Sequence, residues 1–167
     1  MKTNHEIYYD KEKTRPVTDY KVDKDGYAIL NTGHFYVYGD SMVHARGDAV
    51  VIANDNSWVT AYDDSWVTAY HNSRVHAYEY SKVFTRDNSW VTAYDNSNVV
   101  ANQKSKVSAF GNSEVFSYDN SIVSAHGNSE VFAFGNSEVF AYDNSKIWAA
   151  DTAKIIDKRE NTCQNPS

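Results

Sequence analysis

The stretch Asp55-Asn56-Ser57-Trp58-Val59-Thr60-Ala61-Tyr62 is followed without a gap by Asp63-Asp64-Ser65-Trp66-Val67-Thr68-Ala69-Tyr70. The same eight-residue unit extends outward from this pair in both directions, from Asn31 to Lys158, as sixteen octads with no insertion. A fixed period of this kind marks stacked repeats, none of which can bury its apolar face alone.

Numbering the unit one to eight, position five is apolar in every copy, from Phe35, Val43 and Val51 to Val139, Ile147 and Ile155. Position three is small (Gly33, Ser41, Ala49, Ser57) and position seven is mostly Ala. A small, branched, small alternation with a period of two is the pattern of a strand that buries one face, so positions three, five and seven form the inward row. Positions one and two are Asp or Gly followed by Asn in most copies, residues that tolerate left-handed backbone, which places the corner there. The stacked Asn side chains are expected to hydrogen-bond along their column, and the position-three serines along theirs.

Outward position six sets the number of octads per coil. Odd octads read Tyr36, Ile52, Thr68, Phe84, Val100, Phe116, Phe132 and Trp148, whereas even octads read His44, Thr60, His76, Thr92, Ser108, Ser124, Phe140 and Ile156. The apolar bias of one list over the other requires two different faces, hence two octads and sixteen residues per coil. The predicted fold is all-β: a parallel β-solenoid, or β-helix, of about eight coils, roughly 38 Å long at ~4.8 Å per coil.

An N-terminal cap is expected over residues 1–30, with strand-like segments from Val17 to Val22 and from Tyr27 to Leu30 joined around Asp25-Gly26, a favoured turn pair. The solenoid occupies 31–158. Its last octad places Asp157 where an inward Ala is the rule, which reads as a charged stop, and 159–167 reads as a disordered tail.

The net charge of -6 and the absence of a basic stripe argue against direct binding of nucleic acid. The single cysteine, Cys163, excludes an internal disulfide framework and a cysteine-based zinc site. No secretory leader and no apolar run of ~18 residues is visible, so no membrane partner is expected and a cytoplasmic location is the default, with non-classical release left open.

The sixteen-residue coil of two octads, with its recurring Ser, Val and Ala, resembles the central β-solenoid of bacterial ice-nucleation proteins and short octad-repeat proteins of bacteria and phages. The resemblance covers residues 31–158 and implies the architecture. It would also imply ordering of water by ladders of Thr-x-Thr at positions four and six. This sequence departs from that pattern, reading Trp58 with Thr60, Arg74 with His76, and Lys106 with Ser108, and no copy carries the paired threonines.

No catalytic residue set, cofactor motif or metal-ligand spacing is read from the sequence. His44 and His76 lie two coils apart, ~10 Å, too far to share a metal, and read as solvated surface histidines. The anomaly is the aromatic content (Trp 4, Tyr 13, Phe 7), of which only Phe35 falls on the inward row. One explanation is laddering of rings on adjacent coils, including position eight, where Tyr62, Tyr78, Tyr94, Phe110 and Tyr142 line one side and Tyr38, Tyr70, Tyr118 and Phe134 the other. The other is an interface along Phe84, Val100, Phe116, Phe132 and Trp148, rimmed by Glu114, Glu130 and Lys146, joining two copies as a homodimer or docking another protein. The leading expectation is therefore a non-catalytic interaction protein. Two alternatives remain: an acidic rod whose corner carboxylates at Asp55, Asp63 and Asp95 imitate duplex DNA to inhibit a nucleic-acid enzyme, and a carbohydrate, ice or surface binder using Trp58, Trp66 and Trp90.

Overall fold

The computed structural model describes residues 5–159. Three short strands open the chain, β1 (Glu6–Tyr8), β2 (Lys21–Val22) and β3 (Ala28–Leu30). One strand per octad follows, from β4 (His34–Tyr38) to β19 (Lys154–Asp157). The strands of odd octads, β4 to β18 by twos, form one sheet with β1 at its edge, nine strands in all; those of even octads form a second sheet of ten with β3 and β2. Successive strands in a sheet are parallel and sixteen residues apart, as Val83↔Val99 and Val99↔Val115 show. This is the two-octad parallel β-solenoid that the parity of position six implies.

Positions three, five and seven face inward: Val51, Val67, Val99 and Val131, with Ala53, Ala69, Ala101 and Ala133 beside them, have no exposed surface. Only small side chains flank the valine line, so the two sheets approach closely, and each strand draws its stability from the strands above and below it.

Position one adopts left-handed backbone in copy after copy, for instance at Asp55 (φ 59), Asp95 (φ 57) and Gly111 (φ 66). His71, Glu79 and Gln103 do so as well, and the side chains explain why these types are tolerated. Each reaches back one coil to accept the backbone N–H of the preceding position one: Glu79 from Asp63 (2.7 Å), Asp87 from His71 (3.0 Å), Gln103 from Asp87 (2.6 Å) and His71 Nδ1 from Asp55 (3.3 Å). The bond offsets a left-handed conformation that costs ~1–2 kcal/mol for an ordinary L-residue.

Side chains of the position-two column bond between coils at Asn56 Nδ2 to Asp40 (3.3 Å) and Thr152 Oγ1 to Asn136 (2.6 Å), and the other links of the two expected columns take another form. Between coils, the backbone N–H of position two donates to the carbonyl of position one in the coil before, as Asn72 does to Asp55 (2.9 Å) and Asn112 to Asp95 (2.8 Å). The serines of position three do not bond along their column. Ser73, Ser89, Ser105, Ser121 and Ser145 donate instead to the carbonyl three residues earlier, at 2.7–2.8 Å. The local acceptor is closer to a one-carbon hydroxyl than a serine 4.8 Å away, and it closes the corner.

At the N-terminal end β1 runs antiparallel to β4, placing Ile7 opposite Val37, with both buried. The sequence reading missed this strand. The segment read as a strand from Val17 to Val22 narrows to Lys21–Val22, antiparallel to β3, while Val17 is buried and its N–H donates to the Ile7 carbonyl. The turn around Asp25-Gly26 is held by Asp23, whose carboxylate accepts the N–H groups of Asp25 and Tyr27 and meets His44 Nε2 at 2.9 Å. These contacts, the Tyr27 N–H foremost, hold the Asp23 carboxyl below its ordinary 3.8. A carboxyl with a lowered folded value contributes stability above its unfolded value and loses it as pH falls through the folded one. The hairpin is therefore expected to loosen below about pH 3.8, seen as a falling protection factor at the Tyr27 amide, while core amides such as Val99 keep theirs. Equal loss at both would remove Asp23 as the cause.

At the other end no described residue covers the last coil. Ile155 is 43% exposed although it occupies the same position as the buried valines. Asp157, opposite Ala141, is paired with Arg159, which lowers the Asp157 carboxyl well below its usual range and also donates to the Ser145 carbonyl (3.3 Å). Apart from Arg159, the tail 159–167 lies outside the described residues.

Candidate interaction face

The register of the odd-octad sheet sets Phe84 beside Val100, Val100 beside Phe116, Phe116 beside Phe132 and Phe132 beside Trp148. All five residues read from the sequence as an apolar stripe thus occupy one line. Phe84, Val100, Phe116 and Phe132 are half-buried by their neighbours, and Trp148 on the end coil is 47% exposed. The rings of Phe116 and Phe132 stack at 5.0 Å and those of Phe132 and Trp148 at 4.7 Å. Coil spacing places the rings at this separation, so their faces cover one another and their edges form a ridge. Beside the ridge Lys146 Nζ binds Glu130 at 2.9 Å, and Glu114 accepts from Asn98 at 2.7 Å. These polar contacts are exposed or half-buried, so their contribution to stability is small.

The N-terminal half of the same sheet has the opposite relief. Its position-eight column reads Tyr38, Asn54, Tyr70, Arg86, so one rung between two tyrosines has no ring. A recess of about 540 Å3 opens there, lined by Tyr36, Tyr38, Ile52, Asn54, Thr68 and Tyr70. The sequence reading listed Tyr38 and Tyr70 in one column but did not treat the gap at Asn54 as a feature. Its signal was present in the repeat: a non-aromatic residue where a ring is common.

On the even-octad sheet the position-eight rings form an unbroken stack, Tyr62–Tyr78 (5.4 Å), Tyr78–Tyr94 (4.8 Å) and Tyr94–Phe110 (5.4 Å). His126, left out of the sequence reading, supplies the rung between Phe110 (4.8 Å) and Tyr142 (4.4 Å). An imidazole is flat and aromatic, so it continues the stack. His44 and His76 are not the solvated histidines expected from their outward position. His44 is stacked on Tyr27 at 4.4 Å and bound to Asp23, and His76 meets Trp58 edge-on at 5.5 Å while burial lowers its pKa below 6.5. Long neighbours one coil away cover an outward side chain that the repeat pattern alone leaves in water.

Trp58 and Trp90 flank Arg74 in one column, Arg74 lying over Trp58 (5.8 Å) and Lys106 over Trp90 (5.9 Å). Trp66 lies on the other sheet, beneath Lys82 (5.9 Å). The three indoles do not form one platform, and side chains of adjacent coils lie over their faces. Among the described residues no group of three or more His, Cys, Asp or Glu side chains is placed to hold a metal ion, and no helix is long and apolar enough to cross a membrane.

Fold and surface together define a regular octad-repeat parallel β-solenoid with an aromatic ridge on one sheet. No family model, curated protein or solved structure matches the chain.

Proposed function

We propose that this protein is a non-catalytic interaction module that self-associates through the odd-octad sheet. The observation that carries the reading is the in-register line from Phe84 through Val100, Phe116 and Phe132 to Trp148. Apolar edges repeated on five adjacent strands make a continuous surface of the kind that marks interfaces. The corner carboxylates give less support to imitation of DNA. Those of Asp55, Asp63, Asp87, Asp95 and Asp119 each accept a backbone N–H from the coil before, so their position is set by a structural task.

The test is size exclusion with light scattering across a micromolar concentration series, on the wild type and on Phe116→Asp with Phe132→Asp. The expected wild type is a dimer, and the double variant a folded monomer with unchanged far-ultraviolet circular dichroism. Both side chains point outward, so charging them leaves the core valines untouched. A wild type that stays monomeric at every concentration would falsify the reading and leave the stacked rings as internal stabilisation.

A further inference from the structure

We infer that two copies pair antiparallel through this sheet, the C-terminal aromatic ridge of each filling the N-terminal recess of the other. The inference rests on the self-association reading and adds its geometry. Ridge and recess lie on one sheet of one chain, at opposite ends of the rod, which is the arrangement a two-fold axis can use.

An axis parallel to the strands, passing between β10 (Lys82–Thr85) and β12 (Asn98–Ala101), keeps each outward column facing its own copy and reverses the coil order. In column six Ile52 then meets the second copy's Phe132, and Thr68 its Phe116. In column eight Asn54 meets the second copy's Phe134, so a ring enters the one-rung gap between Tyr38 and Tyr70. Those tyrosines are two coils apart, ~10 Å, which leaves an inserted ring ~4.8 Å from each. That is the separation the protein uses in its own stacks, 5.1 Å between Tyr118 and Phe134 for example. Tyr38, crowded on its outer side by Lys13 at 4.0 Å, meets the small Ala150.

The charges of this face also bear on the orientation. In the first four coils the outward columns of this sheet carry His34, Lys82 and Arg86 and no carboxylate, with Lys11 lining the recess; in the last four they carry Glu114, Glu130 and Lys146, the last two paired with each other. Antiparallel pairing sets Glu114 and Glu130 opposite the uncharged Trp66 and Val50, so neither glutamate meets a second carboxylate. Parallel pairing would set ridge against ridge and leave two recesses unfilled. The face, roughly 38 Å by 16 Å, is at the small end of stable interfaces, so dissociation is expected in the micromolar range.

Two measurements decide it. In a Cys163→Ser background, a nitroxide at Asn144→Cys on the last coil reports the distance between copies. Antiparallel pairing separates the two labels by seven coil spacings, about 34 Å, whereas parallel pairing holds them at one height and markedly closer. Asn54→Tyr restores the missing rung from within the chain and closes the recess. The expected result is a folded protein at least as stable as the wild type whose dimer is weakened tenfold or more. A dimer with the short label distance overturns the antiparallel geometry and leaves self-association standing. A dimer unaffected by Asn54→Tyr removes the recess from the interface. A monomeric wild type ends both proposals.

Discussion

Val99→Asp is expected to destroy cooperative folding, whereas Ile155→Asp, the same substitution at the same position of the repeat, is expected to cost less than about 1 kcal/mol. Val99 has no exposed surface and lies between Val83 and Val115. A carboxylate there would be surrounded by valine, alanine and serine, with no cation on the inward row. A buried charge without a partner costs several kcal/mol, and a domain of this size has only about 5–15 kcal/mol in total. A stacked array also transmits the loss, because each coil depends on its neighbours. Ile155, at 43% exposure on the last coil, lets the same carboxylate reach water. Urea denaturation followed by circular dichroism separates the cases. Equal destabilisation at both sites would mean that the last coil is covered in solution.

The second large effect is expected at the corner. Gly111→Val should cost about 3 kcal/mol, combining a left-handed β-branched residue with a steric conflict. Gly111 has φ +66, and a Cβ added there meets the Asp95 backbone nitrogen at 3.0 Å and its carbonyl oxygen at 3.2 Å. Gly111→Asp, which adds a Cβ at the same point, is expected to stay within about 0.5 kcal/mol of the wild type. Asp95 adopts φ 57 one coil earlier with its Cβ accommodated, and an Asp at 111 gains the Asp95 N–H as a donor. Thermal melts of the two variants compare conformational strain with hydrogen bonding at a single site. An Asp variant as weak as the Val variant would show that contact with the Asp95 backbone, and not the backbone conformation, limits this corner.

Much of the fold was legible because an octad repeat states the same local choice sixteen times. Position five, the corner at position one and the two-sheet arrangement follow from periodicity, and the parity of position six separates the faces. The stripe from Phe84 to Trp148 was legible for the same reason: a fixed period converts sequence spacing into adjacency. What repetition could not supply were features that occur once. β1 carries a single inward residue, Ile7, and its pairing with β4 joins segments about thirty residues apart. The recess at Asn54 is a missing ring, and an absence gains meaning only when Tyr38 and Tyr70 are known to stand on either side of it.

The sequence by itself determined the repeat, the inward row, the coil of two octads and the line of aromatic residues, because the alternation of a strand and the chirality of the corner are local properties of the chain. Tertiary structure decided where the hydrogen bonds go: corner side chains to the N–H of the previous coil, five of the position-three serines to the carbonyl three residues back, and His44 to Asp23. It also decided which outward side chains are covered. Those outcomes depend on which groups meet across coils and on which neighbours are long enough to reach them, and neither is a property of a single octad.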